Sequence, residues 1–140
     1  MAERRELVAM MPFAEGLGIE LTAATPEEVT GRLAWREDLC TTAGLLHGGA
    51  LMGLADSLAG VCAFLNLPPG AGTATISSTT NFLRALRGGY ATGTARPLRV
   101  GRSVIVVETE LRDDAGKPLA HTTQSQAVIG ASNAGRARGG

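Results

Sequence analysis

The sequence has no excess of either charge. Its lysines and arginines number 13 and its aspartates and glutamates 13, so no net field draws the chain to nucleic acid or to an anionic membrane surface. Cysteine is scarce as well. Cys40 and Cys62 are the only two, too few for a disulfide framework or a cysteine-built metal cluster. The opening Met-Ala-Glu-Arg-Arg contains none of the apolar run that a secretion signal needs. The expected setting is therefore the reducing cytoplasm. At 140 residues the chain has room for about one domain. Apolar material, by contrast, is plentiful. Hydrophobic residues make up 44% and charged residues 19%, enough for a core and too apolar for a disordered chain.

The longest nearly uninterrupted apolar stretch runs over residues 48–67, about the length of a membrane span. Asp56 at its centre and its many small residues, among them Gly53, Ala55, Ser57, Ala59 and Gly60, speak instead for a helix packed closely inside a protein. A helix apolar on nearly every face is expected where structure surrounds it. His47 stands at its head, and Pro68-Pro69-Gly70 ends it, which predicts a helix over 48–66.

Around this helix the period is that of strands. Residues 3–14 carry a short helical pattern interrupted by Pro12, and 1–16 reads as an N-terminal helical segment that covers an edge or acts as a lid. Residues 18–24 and 28–35 flank Thr25-Pro26-Glu27 and predict a hairpin. After the helix, Ala74, Ile76, Ser78, Thr80 and Phe82 alternate with Thr75, Ser77, Thr79, Asn81 and Leu83, and Gly88-Gly89 punctuates. Strands at 90–98, 102–112 and 119–129 follow, the last two joined by a turn at Asp113-Asp114-Ala115-Gly116-Lys117. These four strands predict an antiparallel meander. The segment 131–140 has no apolar period and is expected to be disordered. The whole is an α+β pattern, most economically an antiparallel sheet curled around one helix over residues 17–130. Since the helix is apolar almost all round, a second copy of the chain is expected to cover what the sheet does not.

Two features carry chemistry. Asp56 is a carboxylate in an apolar helix, where a buried charge needs a partner or a task; it can serve a reaction, or simply bond an amide or hydroxyl of a neighbouring strand. His47-Gly48-Gly49 offers backbone N–H groups at a helix start, suited to a carbonyl oxygen or a developing oxyanion. The same glycines can instead serve close packing, with His47 as a helix cap. Gly48 and Asp56 are separated by about 12 Å along one helix at 1.5 Å per residue. One helix cannot bring both to one reacting carbon, so joint action requires Gly48 of one subunit and Asp56 of another, with the helices antiparallel across a two-fold.

The run Leu45-Leu46-His47-Gly48-Gly49-Ala50-Leu51-Met52-Gly53-Leu54-Ala55-Asp56-Ser57 resembles the His-Gly-Gly…Asp/Glu signature of hotdog-fold acyl-CoA thioesterases of the PaaI-like (phenylacetate-pathway) and 4-hydroxybenzoyl-CoA type. Asn81-Phe82-Leu83-Arg84 and Pro97-Leu98-Arg99-Val100-Gly101-Arg102-Ser103 are similar to that family's third-strand motif and following turn. The resemblance covers roughly residues 13–130. It implies a hotdog fold, one long central helix wrapped by a curved antiparallel sheet of five to six strands.

It also implies roles. Asp56 would attack the thioester carbonyl or activate the water that does. Gly48 would polarise the thioester oxygen, with His47 and Gly49 shaping that corner, and Thr75 would orient the water. Asn81 belongs with the substrate-binding set, and Arg84, Arg102 and Ser103 would contact the phosphates or pantetheine of coenzyme A. Phe13, Met52, Phe64 and Phe82 would wall the acyl pocket. Where several relatives place Gln or Asn to hold the substrate carbonyl, this chain has Thr41. The hydroxybenzoyl branch carries Glu with Ser or Thr four residues on, against Asp56 and Gly60 here. That favours the PaaI-like branch and moves the water-positioning hydroxyl to Thr75 or Ser77.

The implied assembly is a homodimer, and by the family's habit a homotetramer, with active sites at the dimer interface. No metal or cofactor is called for, coenzyme A entering as part of the substrate. Two alternatives stand beside hydrolysis of an aromatic or medium-chain acyl-CoA. One is an acyl-thioester dehydratase or hydratase of the same fold. The other is a non-catalytic acyl-CoA-binding module in which Asp56 is structural. Arg84, Arg87, Arg96, Arg99 and Arg102 give the middle of the chain a basic bias, suited to a phosphorylated carrier or to an ordinary solvated strand edge.

Overall fold

The computed structural model describes residues 2–130; the tail expected to be disordered lies outside the described residues. Two short helices open the chain, α1 (Ala2–Ala9) and α2 (Pro12–Leu17), with Pro12 in the first turn of α2, where its missing N–H is harmless. A hairpin follows, β1 (Glu20–Ala24) and β2 (Val29–Ala34). The 18-residue helix α3 (Gly48–Leu65) comes next, and then β3 (Ala71–Phe82), β4 (Tyr90–Val100), β5 (Val104–Arg112) and β6 (Pro118–Gly130). The six strands form one antiparallel sheet curved around α3. By length and composition α3 would cross a membrane, but 56% of it is buried within the fold. It is the core helix.

Leu54 and Leu58 are wholly buried on the face of α3 that meets the sheet. Leu58 enters a gap left by Gly31 and Gly93, which pair directly across β2 and β4. A Cβ on Gly31 would lie 2.7 Å from Leu58 Cδ2, and one on Gly93 would lie 2.5 Å from Leu58 Cδ1. Glycine at these two strand positions lets helix and sheet approach closely. Val8, Ala14 and Leu17 join the same core, so the N-terminal helices are packed onto the domain.

The predicted meander needs correction. The sheet order is β1-β2-β4-β5-β6-β3: β4, β5 and β6 run consecutively, but β3 lies at the far edge against β6. Between β3 and β4 the chain passes under the head of α3, where Leu86 is buried and its carbonyl accepts from the Leu46 amide at 2.9 Å. That segment, residues 83–89, crosses the sheet end, whereas a hairpin needs only a tight turn. The β5–β6 hairpin forms where expected. Asp113 Oδ1 accepts from the amides of Ala115 (3.0 Å) and Lys117 (2.9 Å), with Gly116 at φ +81°.

The alternation expected along β3 also breaks. A β-bulge at Ile76 shifts the register, so that Thr75 opposes Gln126 while Ser78 opposes Gln124. Thr73 and Thr75 before the bulge, and Ser78, Thr80 and Phe82 after it, therefore share the face toward α3. One extra residue reverses the parity of everything beyond it.

Candidate active site at the helix α3 cleft

The site begins with a polar row on β6. Thr122, Gln124, Gln126 and Val128 alternate inward, and both glutamines are buried, at 0% and 2% exposure. Gln124 Nε2 donates to Asp56 Oδ1 at 2.8 Å and to Thr75 Oγ1 at 3.3 Å. Gln126 Nε2 donates to Thr75 Oγ1 at 2.9 Å, while Gln126 Oε1 accepts from Thr73 at 3.1 Å. The Thr75 hydroxyl then donates to Asp56 Oδ1 at 3.4 Å. The network fixes one carboxylate oxygen, while Oδ2 is uncommitted among the described residues. The sequence reading found Asp56 and Thr75 but missed both glutamines. Their signal was two amides two residues apart on a strand, in step with the apolar Val128.

Asp56 is exposed within the single chain, not buried as the apolar helix suggested. It stands at a cleft of ≈ 380 Å³ whose walls include Met10, Met11, Phe13, Val61 and Phe64, with Thr73, Thr75 and Gln126 on the strand side. An apolar enclosure with a few convergent polar groups is the usual form of a small-molecule site. Phe13 and Phe64 line it as expected. Met52 and Phe82 do not: Met52 faces outward at 40% exposure, and Phe82 lies against the head of α3.

At that head, the His47 ring is the helix cap, its Nδ1 accepting from the Gly49 amide at 2.8 Å. The ring's proton consequently sits on Nε2 or is shared with solvent there, because an accepting Nδ1 carries none. The expectation of two bare amides is corrected to one: Gly49 N–H is taken, whereas Gly48 N–H has no partner among the described residues. Packing is close at both glycines. A Cβ on Gly48 would lie 3.2 Å from Phe82 Cζ, and one on Gly49 would lie 3.0 Å from His47 Nδ1.

The remaining expected residues are spread out. Thr41 is an exposed loop residue whose amide donates to the Leu45 carbonyl at 2.8 Å. Asn81 opposes His121 near one end of β6, with Arg84 just beyond β3. Arg102 and Ser103 form the β4–β5 turn, next to the Val104–Ala127 pair near the other end of β6. His121 and Ala127 are about 20 Å apart at strand rise, so within one chain Arg84 and Arg102 do not converge. Arg96 is held by Glu28 at 2.7 Å. Cys62 is fully buried and Cys40 half-buried, both unpaired. Burial pushes the Cys62 thiol up to about 11, which makes it a poor nucleophile at neutral pH.

The sequence profile of the thioesterase superfamily matches residues 43–120, from the loop before α3 into β6. The chain belongs to the thioesterase superfamily. Esterase PA1618 of Pseudomonas aeruginosa is 34% identical over 114 residues, covering 81% of this chain and 79% of that protein. The crystal structure of a mutant of this protein, there named a thioesterase, matches with a TM-score of 0.86 over 91% of this chain and 94% of the other, at 30% identity. A 1,4-dihydroxy-2-naphthoyl-CoA hydrolase of Listeria monocytogenes is 28% identical over 109 residues, 78% of this chain and 89% of that one. A hypothetical thioesterase protein of Streptococcus pneumoniae, solved with coenzyme A, shares the fold at a TM-score of 0.73 and 22% identity, over 80% and 86% of the two chains. The superfamily member described here is thus a thioester hydrolase with the hotdog fold, and the PaaI-like resemblance is consistent with these relatives.

Proposed function

We propose that this thioesterase hydrolyses the thioester of an aromatic or medium-chain acyl-CoA, with Asp56 as the nucleophile or general base. The observation that carries the reading is the Asp56 carboxylate at the mouth of an apolar cleft, one oxygen held by Gln124 and Thr75 and the other without a partner among the described residues. In the general-base form, Asp56 takes a proton from water as the water oxygen bonds to the thioester carbonyl carbon. The negative charge that develops on the carbonyl oxygen is met by the Gly48 amide and the positive end of the helix dipole. Collapse breaks the C–S bond, the thiolate takes the proton, and free acid and coenzyme A leave. Thr75, bonded to Asp56 and to both glutamines, acts through the carboxylate by holding it in place for the water.

Gly48 and Asp56 are about 12 Å apart along α3, so the reading places one of each from two subunits in each site. Two surfaces support pairing with a second copy. The edge of β3 is unpaired over 12 residues that include no charged side chain and no proline, an edge that proteins ordinarily cover. Beside it, the α3 stripe bearing Met52, Asp56 and Phe64 is exposed. In such a dimer Arg84 of one subunit and Arg102 of the other become available to one coenzyme A, with Ser103, Asn81 and Thr41 on the approach. The tetramer implied by the family is part of this reading, as is a cytoplasmic setting, with which two unpaired cysteines agree. The substrate class is supported by the Listeria relative's named aromatic acyl-CoA and the pneumococcal protein's bound coenzyme A.

The test is thiol release by wild type and Asp56→Asn across phenylacetyl-, hydroxybenzoyl-, hexanoyl- and palmitoyl-CoA. Turnover by wild type with loss in an equally dimeric variant supports the reading. Coenzyme A binding without turnover of any thioester supports the binding module instead.

A further inference from the structure

Among the described residues three buried side-chain atoms have no hydrogen-bond partner: Arg32 Nε, Thr109 Oγ1 and Gln124 Oε1. The Arg32 guanidinium is held in other ways, lying 4.2 Å over the Tyr90 ring and bonding Glu20 at 3.5 Å. The other two atoms belong to side chains at 0% exposure. A buried hydroxyl or amide oxygen costs free energy unless something bonds it.

These two are neighbours. Thr109 of β5 opposes Thr122 of β6, and Gln124 stands two residues further along β6 on the same inward face. The Cβ atoms of such diagonal neighbours are about 7 Å apart. Chemistry settles which way the Gln124 amide points. The Asp56 carboxylate only accepts, so the NH2 end faces it, at 2.8 Å, and lies 3.3 Å from Thr75 of β3. Oε1, at the other end of a planar amide, is turned away from β3, and β5 lies on that other side of β6. Oε1 needs a donor, and the Thr109 hydroxyl can donate and accept. One water making two bonds of about 2.8 Å spans roughly 5–6 Å, the gap between groups placed like these. Thr122 Oγ1, bonded to Thr80 at 2.8 Å, supplies a third polar wall, and about three such partners are what a buried water takes.

Resting, for its part in catalysis, on the thioesterase reading above, we propose that one internal water is bound between Gln124 Oε1, Thr109 Oγ1 and Thr122 Oγ1. Thr109 is thereby a positioning residue: it holds the far end of the amide whose near end holds Asp56. The last torsion of a glutamine has no sharp rotamer of its own, so an amide gripped at one end only can swing, and one gripped at both ends cannot. Thr109 is not among the residues that line the cleft, and its effect passes through Gln124.

The experiment joins a high-resolution crystal structure of the wild type to steady-state kinetics of Thr109→Val and Thr109→Ser on the best substrate of the acyl-CoA panel above. The expected map shows a water within about 3.2 Å of both Gln124 Oε1 and Thr109 Oγ1. Thr109→Val, which keeps the shape and removes the hydroxyl, should lower kcat about fivefold, the worth of one ordinary hydrogen bond, with KM unchanged. Thr109→Ser should restore kcat to within about twofold of wild type. In a Gln124→Leu background Thr109→Val should change kcat little, because the two act in series. Equal losses in the Val and Ser variants, no loss in Thr109→Val, an undiminished loss in the Gln124→Leu background, or a map without that water each overturn the inference while leaving the thioesterase reading intact. If wild type releases thiol from no member of the panel, that reading fails and the positioning role with it, and the map alone then decides the water.

Discussion

Leu54 and Leu58 on one side of α3 are sealed against the sheet at 0% exposure, whereas Asp56, Gly60 and Phe64 on another side of the same helix stand along an open cleft. On the sealed side the glycines belong to the sheet and admit a helix side chain: Gly31 and Gly93 receive Leu58. On the open side the glycine belongs to the helix, and none of the described residues would meet a side chain there. The polar groups divide the same way. Behind Asp56 sit Gln124 and Gln126, and two of the buried atoms in this region, Gln124 Oε1 and Thr109 Oγ1, have no hydrogen-bond partner among the described residues. A core built for stability alone would use apolar groups there. One helix therefore serves two purposes, with stability concentrated on the leucine face and chemistry on the aspartate face.

This division can be broken from either side. Asp56→Asn removes the proton acceptor and is expected to lower kcat/KM about 1000-fold while leaving the melting temperature within roughly 2 °C of wild type, read by thiol release and calorimetry. Leu58→Ala is the converse. It empties a sealed position and is expected to destabilise by about 3 kcal/mol, a fall of roughly 10 °C in Tm, with the turnover of the folded fraction near wild type. A Leu58→Ala protein that melts normally but fails to turn over would undo the comparison.

Gln124→Leu sharpens it, because the two properties should move apart. Removal of the buried Oε1 leaves stability equal or higher, while loss of the bonds to Asp56 and Thr75 is expected to cut kcat about 30-fold. In an Asp56→Asn background the same substitution should change turnover little, since its effect passes through the carboxylate. His47→Ala deletes the cap on Gly49 and should destabilise by about 1 kcal/mol in chemical denaturation. Smallest is the effect at Cys62. With its thiol raised to about 11 from an ordinary 9.0, the folded chain holds that proton more tightly than the unfolded one, so stability is intact below about pH 9 and declines as pH climbs toward about 11. At pH 8 a thiol-reactive dye should label no more than Cys40 in the native protein and label both cysteines on unfolding.

The leucine face and the aspartate were legible because they depend on local order. The apolar run, His47 as a head and Pro68-Pro69-Gly70 as an end give α3 to within a residue of its observed Gly48–Leu65. The hairpin at Asp113–Lys117 follows from turn residues whose side chains and φ preferences act over five positions. Asp56 was conspicuous as a charge in apolar company. Gln124 and Gln126 were not, because an alternating strand with polar residues on one face is the ordinary pattern of a surface strand, and only the sheet order shows which face looks inward.

What the sequence by itself determined is thus everything carried by neighbours along the chain: the helix and its limits, the strands, their turns, and the spacing that separates Gly48 from Asp56 by two turns. Tertiary structure alone decided that β3 leaves the meander for the outer edge of β6, that a single bulge at Ile76 turns Thr75 toward the helix, and that Gln124 of β6 holds the carboxylate of α3 while Gln126 holds Thr75 beside it. The reason is physical. Side-chain period and turn chemistry are properties of a few consecutive residues, but strand order and inward facing depend on which distant segments close over the same apolar helix, and many orders are compatible with the same local pattern.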